Sequence, residues 1–364
     1  MTREEACAKM GEALAAYSNI GEIESVTPYG NGHINDTFLL VTANKRYILQ
    51  RINNSVFPNP REVMQNIEKV TTHISEKAES DKERATLTVV KTNDGDIVFE
   101  DSIGSYWRIY DFVEGTVARE RVECANDFYI CAEAFGRFQG YLADFPAEEL
   151  FEGIKDFHNT PKRYENLMKA VEADKCGRAE SVKAEIEFAI ARKDFCSTLE
   201  NARKEGTLPL RVTHNDTKLN NILFDAEDGH AVCVIDLDTV MPGYSVNDFG
   251  DSIRFGANTA AEDEVDLSKV SLDIELFKTY AEGFIKGCGG RLTKKEIELL
   301  PVGAIMMTLE CGMRFLTDYL DGDVYFKTHR DGHNLDRARD QFALVADMEK
   351  KLDVMNAVVK SVAQ

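Results

Sequence analysis

Two short stretches decide how this sequence folds. Residues 212–223 read VTHNDTKLNNIL, and residues 234–238 read VIDLD. The first stretch contains the pattern H-x-D-x-x-x-x-N, which runs from His214 to Asn221. The intervening residues 225–229 read DAEDG, a turn-forming sequence between two apolar runs. The pattern therefore predicts a β-hairpin with a polar loop before it and an acidic residue after it.

These residues match the needs of phosphoryl transfer, which are a carboxylate base, oxygen ligands for Mg²⁺ and a nearby cation. Asp216 is the predicted base, and Lys218 is the predicted cation. Asn221 and Asp236 offer amide and carboxylate oxygens to a metal ion, and Asp238 is a candidate for a second ion or for the outer shell. Average composition would produce the eight-residue pattern by chance in roughly one chain of this size in a hundred.

A second acidic motif competes for the metal. Asp248, Phe249 and Gly250 spell the metal-binding triplet of protein kinases, but they lie 32 residues after Asp216 and follow no apolar strand. Asp236 lies 20 residues after Asp216 and does follow one. We therefore expect Asp248 to be structural, either capping the next helix or bracing the loop around Asp216.

The rest of the chain predicts an α+β, protein-kinase-like fold with two lobes. Residues 1–115 show five strand-like runs and one helix, whose apolar positions are 63, 67, 70 and 74. Residues 116–364 are mainly helical apart from the hairpin. We expect a β-rich nucleotide-binding lobe followed by a catalytic and acceptor-binding lobe. Candidate helices in the second lobe cover about 123–143, 161–174, 179–203, 271–287, 294–321 and 335–360.

Composition excludes several classes of partner and site. The 43 Lys and Arg against 63 Asp and Glu give a net charge of -20, which disfavours nucleic acids and anionic membranes. The sequence suggests no apolar stretch as long as a membrane span, and the charged N-terminus does not resemble a signal peptide. Eight cysteines without a CxxC pair indicate free thiols, so we expect a cytoplasmic protein without a zinc site.

The residues around 214–221 and 235–238 resemble the aminoglycoside phosphotransferase and choline kinase superfamily. Within it, the resemblance extends to the N-acetylhexosamine 1-kinases, through blocks at 30–35, 46–50, 211–225, 248–257 and 309–325. This resemblance implies ATP- and Mg²⁺-dependent phosphorylation of the anomeric hydroxyl of N-acetylglucosamine or N-acetylgalactosamine. The implied partners are ATP and a small sugar acceptor.

One strand departs from the general kinase pattern. Residues 46–51 should offer a Lys or Arg to the α- and β-phosphates, and alignment of their apolar core puts Gln50 at that position. Since side chains alternate along a strand, Gln50 and Arg51 cannot both face the nucleotide. We favour Gln50 and keep Arg51 as the alternative.

Other nucleotide contacts are expected at two places. Gly30 and Gly32 form the glycine-bearing turn of the first lobe. Phe112 and Val113 end its last strand, where backbone groups can pair with adenine whatever the side chains. Gly115 follows as a candidate hinge.

The acceptor-binding candidates are His33, Phe255, Arg314 and Tyr325, because sugars are held by planar donors and aromatic faces. Arg314 has an ordinary alternative, an ion pair with Asp318 inside an apolar helix. Two other functions remain open at the sequence level. One is a kinase for another small hydroxyl compound, such as choline, homoserine or an aminoglycoside. The other is a pseudokinase that only binds nucleotide.

Overall fold

The computed structural model describes residues 3–30, 34–79, 81–119 and 124–364. The α-helices in this part of the chain are α1 Arg3–Ala16, α2 Pro60–Lys77, α3 Ala125–Tyr141, α4 Thr160–Ala173, α5 Lys183–Ile190, α6 Thr198–Lys204, α7 Ser245–Gly256, α8 Ile274–Gly287, α9 Lys294–Asp321 and α10 His333–Val362. The strands are β1 Ile23–Pro28, β2 Asp36–Thr42, β3 Arg46–Ile52, β4 Val89–Val90, β5 Phe99–Glu100, β6 Tyr106–Asp111, β7 Thr116–Ala118, β8 Arg211–Thr213, β9 Ile222–Asp225, β10 Ala231–Val234 and β11 Met241–Gly243.

The chain divides into two compact units. The first contains Met1–Ala118, Phe145–Lys155 and Asn221–Met241, and the second contains Arg119–Asp144, Asp156–Asn220 and Pro242–Gln364. The sequence placed the boundary after residue 115 and assigned the hairpin to the second lobe. In the structure β9 and β10 belong to the first unit, because β9 pairs with β7 as well as with β10. The hairpin is assigned to the first unit by the pairing of strands that are distant in sequence, which a local sequence pattern cannot predict.

The first unit is built on an antiparallel sheet in the order β1-β2-β3-β6-β4, with β5 also paired to β6. Its core joins α1 to the sheet, where Tyr17 donates a hydrogen bond to the carbonyl oxygen of Trp107 over 3.1 Å. On the amphipathic helix α2, the four positions predicted from spacing, Val63, Ile67, Val70 and Ile74, are all buried. This confirms the predicted β-rich N-terminal part of an α+β, kinase-like fold.

The second unit is mainly helical, as predicted. One helix expected over 179–203 is instead split into α5 and α6. The break occurs where Arg192 lies over the ring of Phe188 and pairs with Glu349 at 2.6 Å. A tertiary ion pair therefore accompanies the end of a helix that spacing alone would have continued.

The helix α9 is long and apolar enough to cross a membrane by length and composition alone, contrary to the sequence expectation that no such stretch exists. Nearly nine tenths of its most apolar window is buried inside the protein, and the helix also carries Glu310, Arg314 and Asp318. These features identify α9 as the core helix of the second unit.

Helices α7 and α9 approach each other closely at two glycines. A Cβ atom built on Gly250 would overlap the carbonyl oxygen of Gly303, and one on Gly303 would overlap that of Val246. The ring of Phe249 packs in the same core against Phe277 at 5.7 Å. The phenylalanine and glycine of the DFG-like triplet are therefore packing residues.

Gly250→Ala should lower the free energy of unfolding by about 1–3 kcal/mol, the usual cost of overpacking a core. Gly11→Ala is the matched control, since Gly11 is an exposed position of helix α1 with no atom near its Cβ position. The control should be neutral or raise stability by up to about 1 kcal/mol through helix propensity. Chemical denaturation measures both, and equal stabilities would contradict the close packing of α7 on α9.

Candidate active site

The loop between β8 and β9 contains the predicted base, and helix α7 fixes its backbone. The carboxylate of Asp248 accepts hydrogen bonds from the backbone N–H groups of His214 (2.9 Å) and Asn215 (2.8 Å). The backbone N–H of Thr217 donates to Asp251 over 3.1 Å. Burial raises the pKa of Asp248, although the backbone donors oppose that effect. Asp248 therefore braces the loop, one of the two structural roles expected from the sequence.

Asp216 and Lys218 form an ion pair within this loop. The Nζ atom of Lys218 lies 2.6 Å from a carboxylate oxygen of Asp216, and both side chains are partly exposed. Burial alone would lower the pKa of Lys218, but the carboxylates of Asp216 and Asp251 outweigh it and raise that pKa. Lys218 is therefore a stable cation beside an accessible carboxylate, the two groups that proton acceptance and phosphoryl stabilisation require.

The two predicted metal ligands, Asn221 and Asp236, lie at the same end of the β9–β10 hairpin. Asn221 directly precedes β9, and the backbone N–H of Ile235 donates to its carbonyl oxygen over 2.8 Å. Asp236 is exposed and has a φ of 58°, in the left-handed region. An amide and a carboxylate oxygen at one hairpin end fit a hard cation such as Mg²⁺.

Asp238 has a different environment from the one predicted. It forms a fully buried ion pair with Arg108 of β6, in which Nη2 lies 2.9 Å from Oδ2, and it accepts a further hydrogen bond from Asn35 over 2.6 Å. Both carboxylate oxygens are therefore engaged by side chains of the first unit. This is a reason to leave Asp238 out of a metal site and to treat it as an anchor for the turn after Asp236.

Gln50 belongs to the same network. It lies opposite Arg108 in the register of β3 and β6, and its side-chain oxygen accepts a hydrogen bond from Nε of Arg108 over 3.0 Å. Its amide nitrogen donates to Thr37 over 3.0 Å. Arg51 pairs with Asp36 instead. The amide of Gln50 thus orients a buried guanidinium, so neither of the two residues considered for the phosphates is left without a protein partner.

Arg108 is the residue that sequence reasoning missed. Burial would lower its pKa, but Asp238 outweighs that effect and raises the pKa above the usual range. The only sequence signal was a charged residue inside the apolar run of β6, from Tyr106 to Tyr110.

The predicted nucleotide contacts occupy two segments of the first unit. Gly30 has a φ of 73°, a backbone conformation that favours glycine, whereas Gly32 and His33 lie outside the described residues. Phe112 follows β6, its ring lies 4.0 Å from the guanidinium of Arg46, and its backbone N–H donates to the carbonyl of Arg46. Val113 is buried and accepts a hydrogen bond from Thr116 over 2.7 Å.

Arg314 lies in the second unit with aromatic rings on either side. Its guanidinium carbon is 5.6 Å from the ring centre of Phe157 and 5.4 Å from that of Phe326. Among the described residues it forms no hydrogen bond or ion pair. Asp318, the partner considered from sequence, instead accepts from the backbone N–H groups of residues 324–326 and from Asn334. The ion pair between Arg314 and Asp318 that the sequence suggested is therefore not formed.

Two further acceptor candidates are exposed. Tyr325 is 70% exposed and packs edge-on against Phe326, with ring centres 4.8 Å apart. Phe326 is one of the two rings near Arg314, so Tyr325 lies in the same region. Phe255 is 51% exposed at the end of α7, next to the buried Arg254. Their exposure excludes an ordinary core role for either ring.

Comparisons with known proteins identify a family and support the fold. The profile of the phosphotransferase enzyme family matches residues 25–273. A microcompartment-associated aminopropanol kinase is similar in structure, with a TM-score of 0.64, 17% identity and coverage of 96% of this chain and 98% of that one. Choline kinase from Cryptosporidium parvum has a TM-score of 0.59 and 13% identity, with coverage of 97% of this chain and 98% of that one. An aminoglycoside phosphotransferase with bound ADP has a TM-score of 0.55 and 14% identity, with coverage of 94% of this chain and 99% of that one.

Arg108→Met should lower the free energy of unfolding by about 3–5 kcal/mol, because it leaves the buried Asp238 carboxylate without its cation. The double variant Arg108→Met/Asp238→Leu should regain most of that loss, since an apolar pair avoids the desolvation of two charges. Urea denaturation measures both variants.

Arg46→Met is the matched control, because Arg46 pairs with Glu114 on the exposed surface of the same sheet. It should cost less than about 1 kcal/mol. If Arg108→Met were as mild as Arg46→Met, the buried pair would not stabilise the first unit.

Proposed function

Because the chain belongs to the phosphotransferase enzyme family, we propose that this small-molecule kinase transfers the γ-phosphoryl group of ATP to the anomeric hydroxyl of an N-acetylhexosamine. The acceptors would be N-acetylglucosamine and N-acetylgalactosamine, and the products would be ADP and the sugar 1-phosphate. The observation that supports this acceptor best is the partly buried guanidinium of Arg314, which has no hydrogen bond or ion pair to any residue that the structure describes.

A guanidinium has five N–H donors, and leaving them unsatisfied away from bulk water is costly. A ligand that supplies several acceptor oxygens would satisfy them. The hydroxyl groups and the acetamido carbonyl of an N-acetylhexosamine are such acceptors, whereas choline offers a single hydroxyl. The hydrogen-bonding needs of Arg314 therefore favour a hydroxyl-rich acceptor.

The charge near Arg314 supports the same choice. Arg163 lies close enough that Arg314, together with burial, lowers its pKa, and its guanidinium donates to the carbonyl of Phe157 over 2.6 Å. Two guanidinium groups in one region would repel a cationic acceptor. A neutral sugar meets no such cost, so choline and aminoglycosides become the weaker candidates.

Aromatic side chains complete the proposed acceptor site. Phe157, Phe326 and Tyr325 could cover the apolar face of a pyranose and the acetamido methyl group. Phe255 and His33 remain acceptor candidates from the sequence. Gly30, Phe112 and Val113 remain the proposed nucleotide contacts, while Gln50 would act through Arg108.

The proposed chemistry uses few groups. Asp216 accepts the proton of the anomeric hydroxyl while that oxygen forms its bond to the γ-phosphorus, and the bond from phosphorus to the β–γ bridging oxygen breaks to release ADP. Lys218 stabilises the negative charge of the transferred group. Asn221 and Asp236 would hold Mg²⁺, which neutralises phosphate charge when bound.

Asp216→Asn should lower kcat about a hundredfold or more, because an amide keeps the shape of the side chain but cannot accept the proton. The affinity for ATP should change little. A coupled ADP-release assay measures turnover, and calorimetry measures nucleotide binding. A kcat within a few-fold of the unmodified protein would remove Asp216 from the role of base.

Arg314→Ala should lower kcat/KM for N-acetylhexosamines by about ten- to a hundredfold, the effect of removing a charged hydrogen-bond donor, and leave the KM for ATP unchanged. Arg337→Ala is the matched control, because Arg337 also lies over an aromatic ring, that of Phe315, but bonds to a protein carbonyl. The control should keep full activity.

The acceptor and the site of phosphorylation are tested together. The unmodified protein is assayed against free sugars, choline, homoserine and kanamycin, and the product is examined by phosphorus NMR. A sugar 1-phosphate gives a signal coupled to the anomeric proton and is labile to mild acid. A 6-phosphate, or turnover only with a cationic acceptor, would overturn the proposed function.

A further inference from the structure

His158 connects helix α9 to the loop that contains the proposed base. It lies two residues before α4, and its Nδ1 atom is 2.8 Å from Oε1 of Glu310. Its Nε2 atom is 3.3 Å from the backbone carbonyl oxygen of Asn215, the residue before Asp216. The sequence offered no assignment for His158, because both contacts join residues far apart in the chain.

Both groups that face the ring are hydrogen-bond acceptors. A carboxylate oxygen and a carbonyl oxygen can each accept only from an N–H, so each contact of the ring is made by a nitrogen that acts as a donor. Thr160 occupies the other oxygen of Glu310 through a 2.7 Å hydrogen bond, which leaves Oε1 to the ring. Burial raises the pKa of Glu310, but His158 and Arg314 outweigh it and keep the pKa low.

Asn215, the residue whose carbonyl His158 contacts, is held by groups on both of its peptide bonds. Asn215 has a φ of 65°, a left-handed conformation that asparagine tolerates better than most residues. Its N–H is bonded to Asp248, and its carbonyl faces His158. The Asn215 carbonyl and the Asp216 nitrogen share one peptide plane. Rotation of that plane would therefore redirect the side chain of Asp216.

We propose that His158 is a positioning residue that holds the Asn215–Asp216 peptide, and with it the Asp216 carboxylate, in the orientation needed to accept the acceptor's proton. This inference rests on the proposed function. Glu310 and Arg314 are four residues apart on one face of α9. The same contacts therefore connect the proposed acceptor contact at Arg314 to the base through Glu310, His158 and Asn215.

Two isosteric substitutions separate the contacts of the ring. The amide nitrogen of asparagine can occupy the position of Nδ1, and that of glutamine the position of Nε2. His158→Asn can therefore keep the bond to Glu310 and lose the bond to Asn215. His158→Gln can keep the bond to Asn215 and lose the bond to Glu310. Thr160→Val is the structural control, since it removes a hydrogen bond to Glu310 without touching His158 or the loop.

The first readout is hydrogen–deuterium exchange of the peptide covering residues 211–222, measured without substrates. His158→Asn should speed exchange in this peptide, while His158→Gln and Thr160→Val should leave it as in the unmodified protein. The second readout is kinetics with the best acceptor from the panel. His158→Asn should lower kcat by about ten- to a hundredfold, as expected for a misplaced catalytic group, with KM for ATP unchanged, and His158→Gln should retain kcat within a few-fold.

Equal effects of the two His158 variants, or melting temperatures that fall without faster exchange, would show that the ring only packs and would overturn the inference. Failure of the proposed function is a separate result. If the unmodified protein does not phosphorylate N-acetylhexosamines, the exchange comparison still decides whether His158 holds the loop.

Discussion

The buried ion pair between Arg108 and Asp238 is the constraint on which the first unit's chemistry depends. Asp238 lies two residues after Asp236, and its carboxylate is held by the guanidinium of Arg108, a residue of the sheet. Asn66 of α2 adds a hydrogen bond to the carbonyl of Val240 over 3.1 Å. The turn after Asp236 is therefore fixed by both the sheet and a helix. This explains how an exposed residue with a positive φ can keep a single orientation.

In the second unit, different groups hold the backbone next to a proposed functional carboxylate. In the loop around Asp216, side chains of other elements supply hydrogen bonds to the backbone. Asp248 and Asp251 of α7 accept from its N–H groups, and His158 donates to a carbonyl. In both units, a residue with left-handed backbone occurs at or just before a proposed functional carboxylate, at Asn215 and at Asp236. Such conformations persist only where surrounding contacts over-determine them.

The sequence was sufficient for the features that depend on local pattern. The spacing from His214 to Asn221, the hairpin after it and the helical periodicity of α2 all follow from neighbouring residues. The environments that the sequence could not give depend on pairing between distant residues. Gln50 and Arg51 could not be separated until β3 was placed between β2 and β6, which gave Gln50 to Arg108 and Arg51 to Asp36. Asp238 looked like a metal ligand because its partner is 130 residues away.

Arg314 shows a second limit of local sequence patterns: a spacing that predicts an ion pair does not show whether the acid already has other donors. From sequence, an arginine four residues before an aspartate on a helix predicts an ion pair. The structure gives Asp318 enough backbone and amide donors that it needs no cation, and Arg314 is left between two aromatic rings. The role proposed for Arg314 therefore depends on the donors that Asp318 receives from residues 324–326 and from Asn334.

Net charge and local charge also lead to different conclusions about the acceptor. A chain with a net charge of -20 could be taken to favour a cationic substrate. That charge is screened by salt over about 10 Å, so the nearest groups decide which acceptor is bound. Glu310 lies one helical turn from Arg314, and its oxygens are already engaged by His158 and Thr160. In the proposed function, the guanidinium group of Arg314 is then available to the acceptor. An acidic protein can in this way bind a neutral, oxygen-rich acceptor and discriminate against an ammonium compound.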